Sequence, residues 1–202
     1  METVANKQSV LIVDNDTERI QQIHQLLNPQ RYPVVATVNL EANLLNIILS
    51  ESPDIILIGV ETPDENTINI VDNISSNCPR PIVMFAKDER SETIRNVTRA
   101  GVSAYAVGSL SKERMVTIIK AAVARFAEFQ ALLQELEKTK TTLEERKIIE
   151  RAKEIVAQQR GTSEADAYKV MRKMAMDQRK RLADIAKEII SIADVFTNKK
   201  YQ

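Results

Sequence analysis

The sequence predicts an α/β domain with a doubly wound, five-stranded parallel sheet, followed by a long coiled-coil helix and a small module of three helices. Three observations predict it. Five short β-branched runs alternate with segments of helical spacing in the first part of the chain. All six prolines lie at or before Pro81, and after Gly108 the only glycine is Gly161. From Ser111 to Arg160, fifty residues contain neither Gly nor Pro, the two residues that most often interrupt a helix.

In chain order, the expected strands are Val10–Val13, Val34–Val38, Ile55–Ile58, Ile82–Phe85 and Ala104–Val107, each bounded by Pro, Asn, Asp or Gly. Between them Thr17–Leu27, Leu40–Leu49, Thr67–Ile74 and Glu89–Ala100 carry helical spacing. Asp64 and Asp88 stand where helix caps belong, and Gly101 where a helix should stop. An open sheet of this kind places its site at the carboxyl ends of the strands.

The long helix keeps a heptad beat through Met115, Ile119, Ala122, Phe126, Phe129, Leu133, Leu136 and Leu143, and Lys140 takes the one polar position in that seam. A 3.5-residue period marks a helix paired along one stripe, and a lone polar seam residue fixes register. Ser111 to Val123 is expected to cover the sheet domain. From Phe126 onward the stripe is expected to be the seam of a homodimer. Beyond it, Ile148, Ile149, Ala152, Ile155 and Val156 form the apolar face of a first short helix. Tyr168, Met171, Met174 and Ala175 form that of a second, and Leu182, Ile185, Ile189, Ile192 and Phe196 that of a third. Gly161 is a natural helix stop and Ser163 a natural cap, with Glu164 and Asp166 in the next turn. The expected domains are therefore 1–123, 124–144 and 145–202.

Hydrophobic content of 44% supports real cores. No apolar run approaches the roughly 18 residues that span a bilayer, and no basic-then-apolar leader opens the chain. One cysteine, Cys78, allows no internal disulfide and fits a reducing cytoplasm, where the chain is placed. The single His24 has no neighbouring Cys or His, so no transition-metal site and no cofactor is expected. There is no nucleophile–base constellation and no phosphate-binding glycine loop, which argues against an enzyme. Net charge is zero but unevenly spread: residues 1–123 carry 11 Lys+Arg against 15 Asp+Glu, and residues 146–202 carry 14 against 8. A basic half suits a polyanionic partner. Within it Lys169, Arg172, Lys173 and Lys180 recur at helical spacing on one side of the second short helix and its continuation, and Arg179 and Arg181 extend that edge across the turn. Such an edge suits phosphate contacts. Tyr168 is the aromatic candidate for stacking on an unpaired base, with packing in the core the stronger expectation for it.

Val-Leu-Ile-Val-Asp-Asn-Asp (10–16), Pro-Asp-Ile-Ile-Leu-Ile-Gly-Val-Glu-Thr-Pro (53–63), Pro-Ile-Val-Met-Phe-Ala (81–86) and Gly-Val-Ser-Ala-Tyr-Ala-Val-Gly-Ser (101–109) resemble the strand-end motifs of response-regulator receiver domains. That resemblance implies strand order 2-1-3-4-5. It also implies an acidic pair that holds Mg²⁺, an Asp that accepts phosphate, and a hydroxyl and a Lys that contact the phosphoryl group. Position by position, Asp14 is retained, its neighbour is Asn15, Gly59 takes the acceptor position, Ala86 the hydroxyl position, and Gly108 and Ser109 stand for Lys-Pro. Pro63 supports this register, because the family spaces its acceptor four residues before that proline. Asp16 lies past the acidic pair and Asp54 at the wrong strand end to substitute. Glycine has no carboxylate to phosphorylate. The resemblance is therefore to a pseudo-receiver, a binding module without the chemistry.

Glu-Arg-Lys-Ile-Ile-Glu-Arg-Ala-Lys (145–153), Gly-Thr-Ser-Glu-Ala-Asp-Ala-Tyr-Lys-Val-Met-Arg-Lys-Met-Ala-Met (161–176) and Arg-Leu-Ala-Asp-Ile-Ala-Lys-Glu-Ile-Ile (181–190) are similar to the ANTAR module of transcription antiterminators. With the receiver-like half, the whole chain resembles the NasT-type nitrate/nitrite regulators. What this implies is an RNA-binding dimer that grips two adjacent leader-mRNA hairpins, one overlapping a terminator. It further implies a nitrate- or nitrite-sensing partner, similar to a periplasmic solute-binding protein, that sequesters the regulator. Arg172 lies inside the family signature and ranks first among the RNA contacts. A DNA-binding response regulator and a non-enzymatic coiled-coil adaptor are the rival readings.

Overall fold

The computed structural model describes residues 7–108 and 111–198, the last three without their side chains. In the first part, β1 (Val10–Asp14), α1 (Thr17–Leu26), β2 (Val34–Val38), α2 (Leu44–Glu51), β3 (Ile55–Gly59), α3 (Glu65–Asn77), β4 (Ile82–Ala86), α4 (Ser91–Ala100) and β5 (Ala104–Val107) alternate. The five strands form one parallel sheet in the order β2-β1-β3-β4-β5, the order the resemblance implies. β1, β3 and β4 are buried along their whole length. They read as unbroken apolar runs because helices cover both faces of a parallel sheet. β2 lies at an edge, and its residues alternate between exposed and half-buried.

Side-chain alternation divides the core in two. Leu11, Val13, Ile56, Ile58 and Met84 face one layer with Ile48 of α2, Val71 of α3 and Val97 of α4. Val10, Ile12, Leu57, Val83 and Phe85 face the other, with Ile23 of α1 and Met115, Ile119 and Ala122 from the start of the long helix α5 (Lys112–Arg160). Each such Ile or Leu taken fully out of water stabilises the fold by roughly 1.5–3 kcal/mol. The first three members of the heptad stripe thus close this domain.

Caps explain most element ends. Asp64 caps α3 by accepting from Thr67 N and Thr67 Oγ1. Gly101 ends α4 at φ 119°, and a side chain there would collide with Ser75. Two expectations are corrected. α2 begins at Leu44, because Asn43 caps it and Leu40 N is held by Asn15 Oδ1, which keeps 40–42 in a turn. α4 begins at Ser91, because Asp88 sits before the cap position and spends its carboxylate on Arg90 and Thr93.

α5 runs unbroken for 49 residues. It is followed by α6 (Glu164–Gln178), capped by Ser163 accepting from Asp166 N, and α7 (Leu182–Asn198). The first of the three expected short helices is thus the end of α5 itself. The chain divides into two compact units, Met1–Gln130 and Ala131–Gln202. In the second, Ala152 of α5, Met171 of α6 and Ala186 of α7 meet, with Ile148, Ile149, Val156, Leu182 and Ile189 half-buried around them. This small core leans on alanines, whose lack of bulk lets the helices approach closely. Ile192, expected in it, is exposed, and the side chain of Phe196 lies outside the described residues.

Candidate functional site

The carboxyl ends of the strands gather the first candidate site. Parallel register sets Asp14, the last residue of β1, directly beside Gly59, the last of β3. Asp14 is 2% exposed. Its counter-charge is Arg19, in the first turn of α1. Arg19 Nε donates to Asp14 Oδ2 at 2.6 Å and Arg19 Nη2 to Asp14 Oδ1 at 2.7 Å. The two-pronged geometry is the strong form of a guanidinium–carboxylate pair. It holds the guanidinium above its ordinary pKa, chiefly through the hydrogen bond to Asp14. Asp14 Oδ1 also accepts from Asp16 N at 2.8 Å. Asp16 is committed elsewhere: it caps α1, accepting from Glu18 N and Arg19 N, and its carboxyl is lowered chiefly by the Arg19 backbone hydrogen bond.

Asn15 turns away from the strand ends. Its Oδ1 accepts from Leu40 N at 2.9 Å and its Nδ2 donates to Glu41 Oε1 at 3.4 Å, so it ties the turn after β2 to β1. Ala86 is buried at the end of β4, and Gly108 follows β5 at φ 86°. Ser109 lies outside the described residues. Lys87, next to Ala86, donates to Glu61 Oε1 at 2.5 Å. A cavity of about 330 Å³ lies here, lined among others by Arg19, Val60, Ala86, Lys87 and Gly108. Asp54 sits at the opposite strand end, accepting from Ser9 N and Ser9 Oγ. The strand-end groups foreseen from sequence are thus brought together, except Asn15. Arg19 was not foreseen.

The basic edge is on and after α6. Arg172 and Lys173 are exposed on the helix. Arg179 is its C-cap in the left-handed conformation (φ 53°), with its N–H donating to Ala175 O and Met176 O. That cap ends the helix, so Lys180 and Arg181 lie on the connection to α7 rather than on a continuation of α6. Three members of the edge are paired: Lys169 with Asp166 at 3.0 Å, Lys180 with Glu188, and Arg181 with Glu145 of α5. No ion pair joins Arg172, Lys173 or Arg179 among the described residues. Tyr168, expected in the core, is 41% exposed. Ala167, Met171 and Ala175 take the buried stripe instead, and Tyr168 stands one step around the helix from it.

On α5, Phe126 is half-buried, and Phe129, Leu133, Leu136 and Leu143 are between 43% and 56% exposed. Lys140 is exposed among them. Leu132, which the heptad did not count, is exposed alongside and widens the stripe.

Two family models match the chain. The response regulator receiver domain matches residues 10–120 and the ANTAR domain residues 137–190. The chain is a receiver–ANTAR response regulator. The transcriptional regulatory protein PdtaR of Mycobacterium tuberculosis is 28% identical over 184 residues, 90% of each chain. The nitrate regulatory protein of Klebsiella oxytoca is 40% identical over 65 residues, 32% of this chain and 16% of that one. Among solved structures, the signal receiver domain of a diguanylate cyclase from Desulfovibrio desulfuricans (TM-score 0.53, 18% identity) covers 60% of this chain and 98% of its own. A CheY-like receiver protein from Methanospirillum hungatei (TM-score 0.52, 20% identity) covers 61% and 98%. These likenesses confirm the fold of the first unit.

For a receiver, the strand-end donor set does not fit Mg²⁺. A hard cation takes several oxygen ligands, most of them carboxylates, carbonyls or water. Here Asp14 is already bidentate to a guanidinium, Asp16 is engaged in capping α1, Asn15 points away, and position 59 offers no side chain. No group of three or more His, Cys, Asp or Glu among the described residues is placed to hold a metal. No described helix is long and apolar enough to cross a membrane.

Proposed function

We propose that this chain is a transcription antiterminator that binds leader RNA as a homodimer, with the edge Arg172, Lys173 and Arg179 as its primary grip. The observation that carries the reading is the ANTAR match over 137–190, which spans that edge. Its chemistry agrees. Those three cations have no internal carboxylate to give up, so phosphate contact costs them no ion pair and yields the counterion release that drives nucleic-acid binding. Lys169, Lys180 and Arg181 are secondary contacts that must first exchange a carboxylate for a phosphate. Tyr168 is exposed enough to stack on an unpaired base. Two modules joined through the Phe129–Leu143 stripe meet two adjacent hairpins at high effective concentration. Binding then favours the RNA fold that excludes the terminator.

The controlled operon is one of nitrate or nitrite assimilation, a reading supported by the likeness of the C-terminal region to the nitrate regulatory protein. Control is by sequestration by a nitrate-sensing, solute-binding-like partner, since the receiver lacks the groups that accept phosphate. The test is to sequence RNA co-purified with the protein from nitrate-grown cells. Leader fragments with paired hairpins upstream of nitrate or nitrite assimilation genes are expected. RNA without paired hairpins would contradict the antitermination mechanism, and paired hairpins from unrelated operons would contradict the nitrate assignment alone.

A further inference from the structure

We infer that the Arg19 guanidinium is the resident cation of the strand-end site, standing where this fold otherwise calls for a divalent metal, so that the site binds no metal. This inference stands independently of whether α6 binds RNA.

Burying a carboxylate as deeply as Asp14 carries a desolvation cost that its partners must offset. A bound metal or a fixed cationic side chain can do so, and here the second is in place. Both oxygens of Asp14 are engaged by Arg19, and Oδ1 takes the Asp16 N–H as well. A metal arriving at Asp14 would have to expel a guanidinium held 2.6 Å away. Arg19 has little freedom to leave. It belongs to the first turn of a helix whose cap, Asp16, is 3.7 Å from Nη1 and adds a second negative charge.

Gly59 completes the case. A Cβ built on it would overlap Asp14 Oδ2 and lie 2.6 Å from Arg19 Nε. The ion pair therefore occupies the space that a side chain at position 59 would need, and the two arrangements exclude each other. Glycine here is the residue that the Arg19–Asp14 pair requires, as well as the one that lacks a carboxylate. Removing the guanidinium should leave Asp14, with Asp16 close by, as an uncompensated acidic pocket that a divalent cation can enter.

Mn²⁺ titration of the full chain tests this, read by selective broadening of the backbone amide signals of Asn15 and Val60 and by the thermal midpoint. In the wild type no selective broadening is expected and the midpoint should not respond to the ion. Arg19→Ala should bind Mn²⁺ at least about tenfold more tightly than the wild type, with a midpoint that rises on adding it. Asp14→Asn in that background should abolish the gain. Arg19→Gln, which keeps a donor for Asp14, carries the same expectation and covers a loss of fold in the alanine variant. Broadening at Asn15 and Val60 in the wild type would overturn the inference, as would a folded Arg19 variant that ignores Mn²⁺.

Discussion

Arg19 sets the state of the strand-end site through one contact that no sequence spacing announces. The replacement of the motif's usual chemical side chains was legible, because Asn15, Gly59 and Ala86 sit at numbered positions of a motif. What replaced them was not: an arginine in the first turn of a helix is ordinary, and only its contact with Asp14 beside Gly59 shows that the pair fills the space of a side chain at position 59. Asp88 gives a pH-dependent prediction at this scale. Its carboxyl is held well below the ordinary range, chiefly by the Arg90 side-chain hydrogen bond, then by the Arg90 N–H and the Thr93 hydroxyl. The folded pKa thus lies below the unfolded value near 3.8, so the stabilisation is present above that pH and is lost as pH falls below it toward the folded value. Asp88→Asn should lower stability at neutral pH, with the gap to the wild type closing in acid. Urea unfolding at several pH values measures it, and a gap that widens in acid would contradict the assignment.

At the scale of elements, α5 shows both what periodicity reveals and where it stops. One heptad stripe runs its length, yet Met115, Ile119 and Ala122 are fully buried while Phe129, Leu133, Leu136 and Leu143 are exposed. No Gly or Pro marks that change, which falls inside the uninterrupted run 111–160. The wild type is expected to sediment as a dimer and Leu133→Glu with Leu136→Glu as a monomer, since two charges facing their copies across the proposed seam repel. Helicity should persist, and a dimer that survived both changes would remove the stripe from the account. α6 was read less well. Its buried stripe is Ala167, Met171 and Ala175, so Tyr168 is pushed outward, and the left-handed Arg179 ends the helix before Lys180. Alanine is ambiguous in an apolar pattern, and Arg is an uncommon choice for a left-handed cap, which glycine usually takes.

For the molecule as a whole, a receiver that keeps its sheet and pairs Asp14 with Arg19 is followed by a small helical unit in which Arg172, Lys173 and Arg179 make no ion pair among the described residues. The sheet order and the receiver family were legible in strand-end motifs, and the ANTAR family in the motifs of 145–190. Which cations stay free was not, because ion pairs such as Arg181 with Glu145 and Lys180 with Glu188 join residues distant in sequence. The measurement that tests the central claim most directly is a salt series of binding to a two-hairpin leader RNA, for the wild type and for Arg172→Ala with Lys173→Ala, with duplex DNA of equal length as control. The account predicts tight, RNA-selective binding whose log K falls linearly with log salt, and a double variant that binds more weakly with a slope shallower by about 1.4–1.8. Equal affinity for duplex DNA, or an unchanged slope in the double variant, would contradict it.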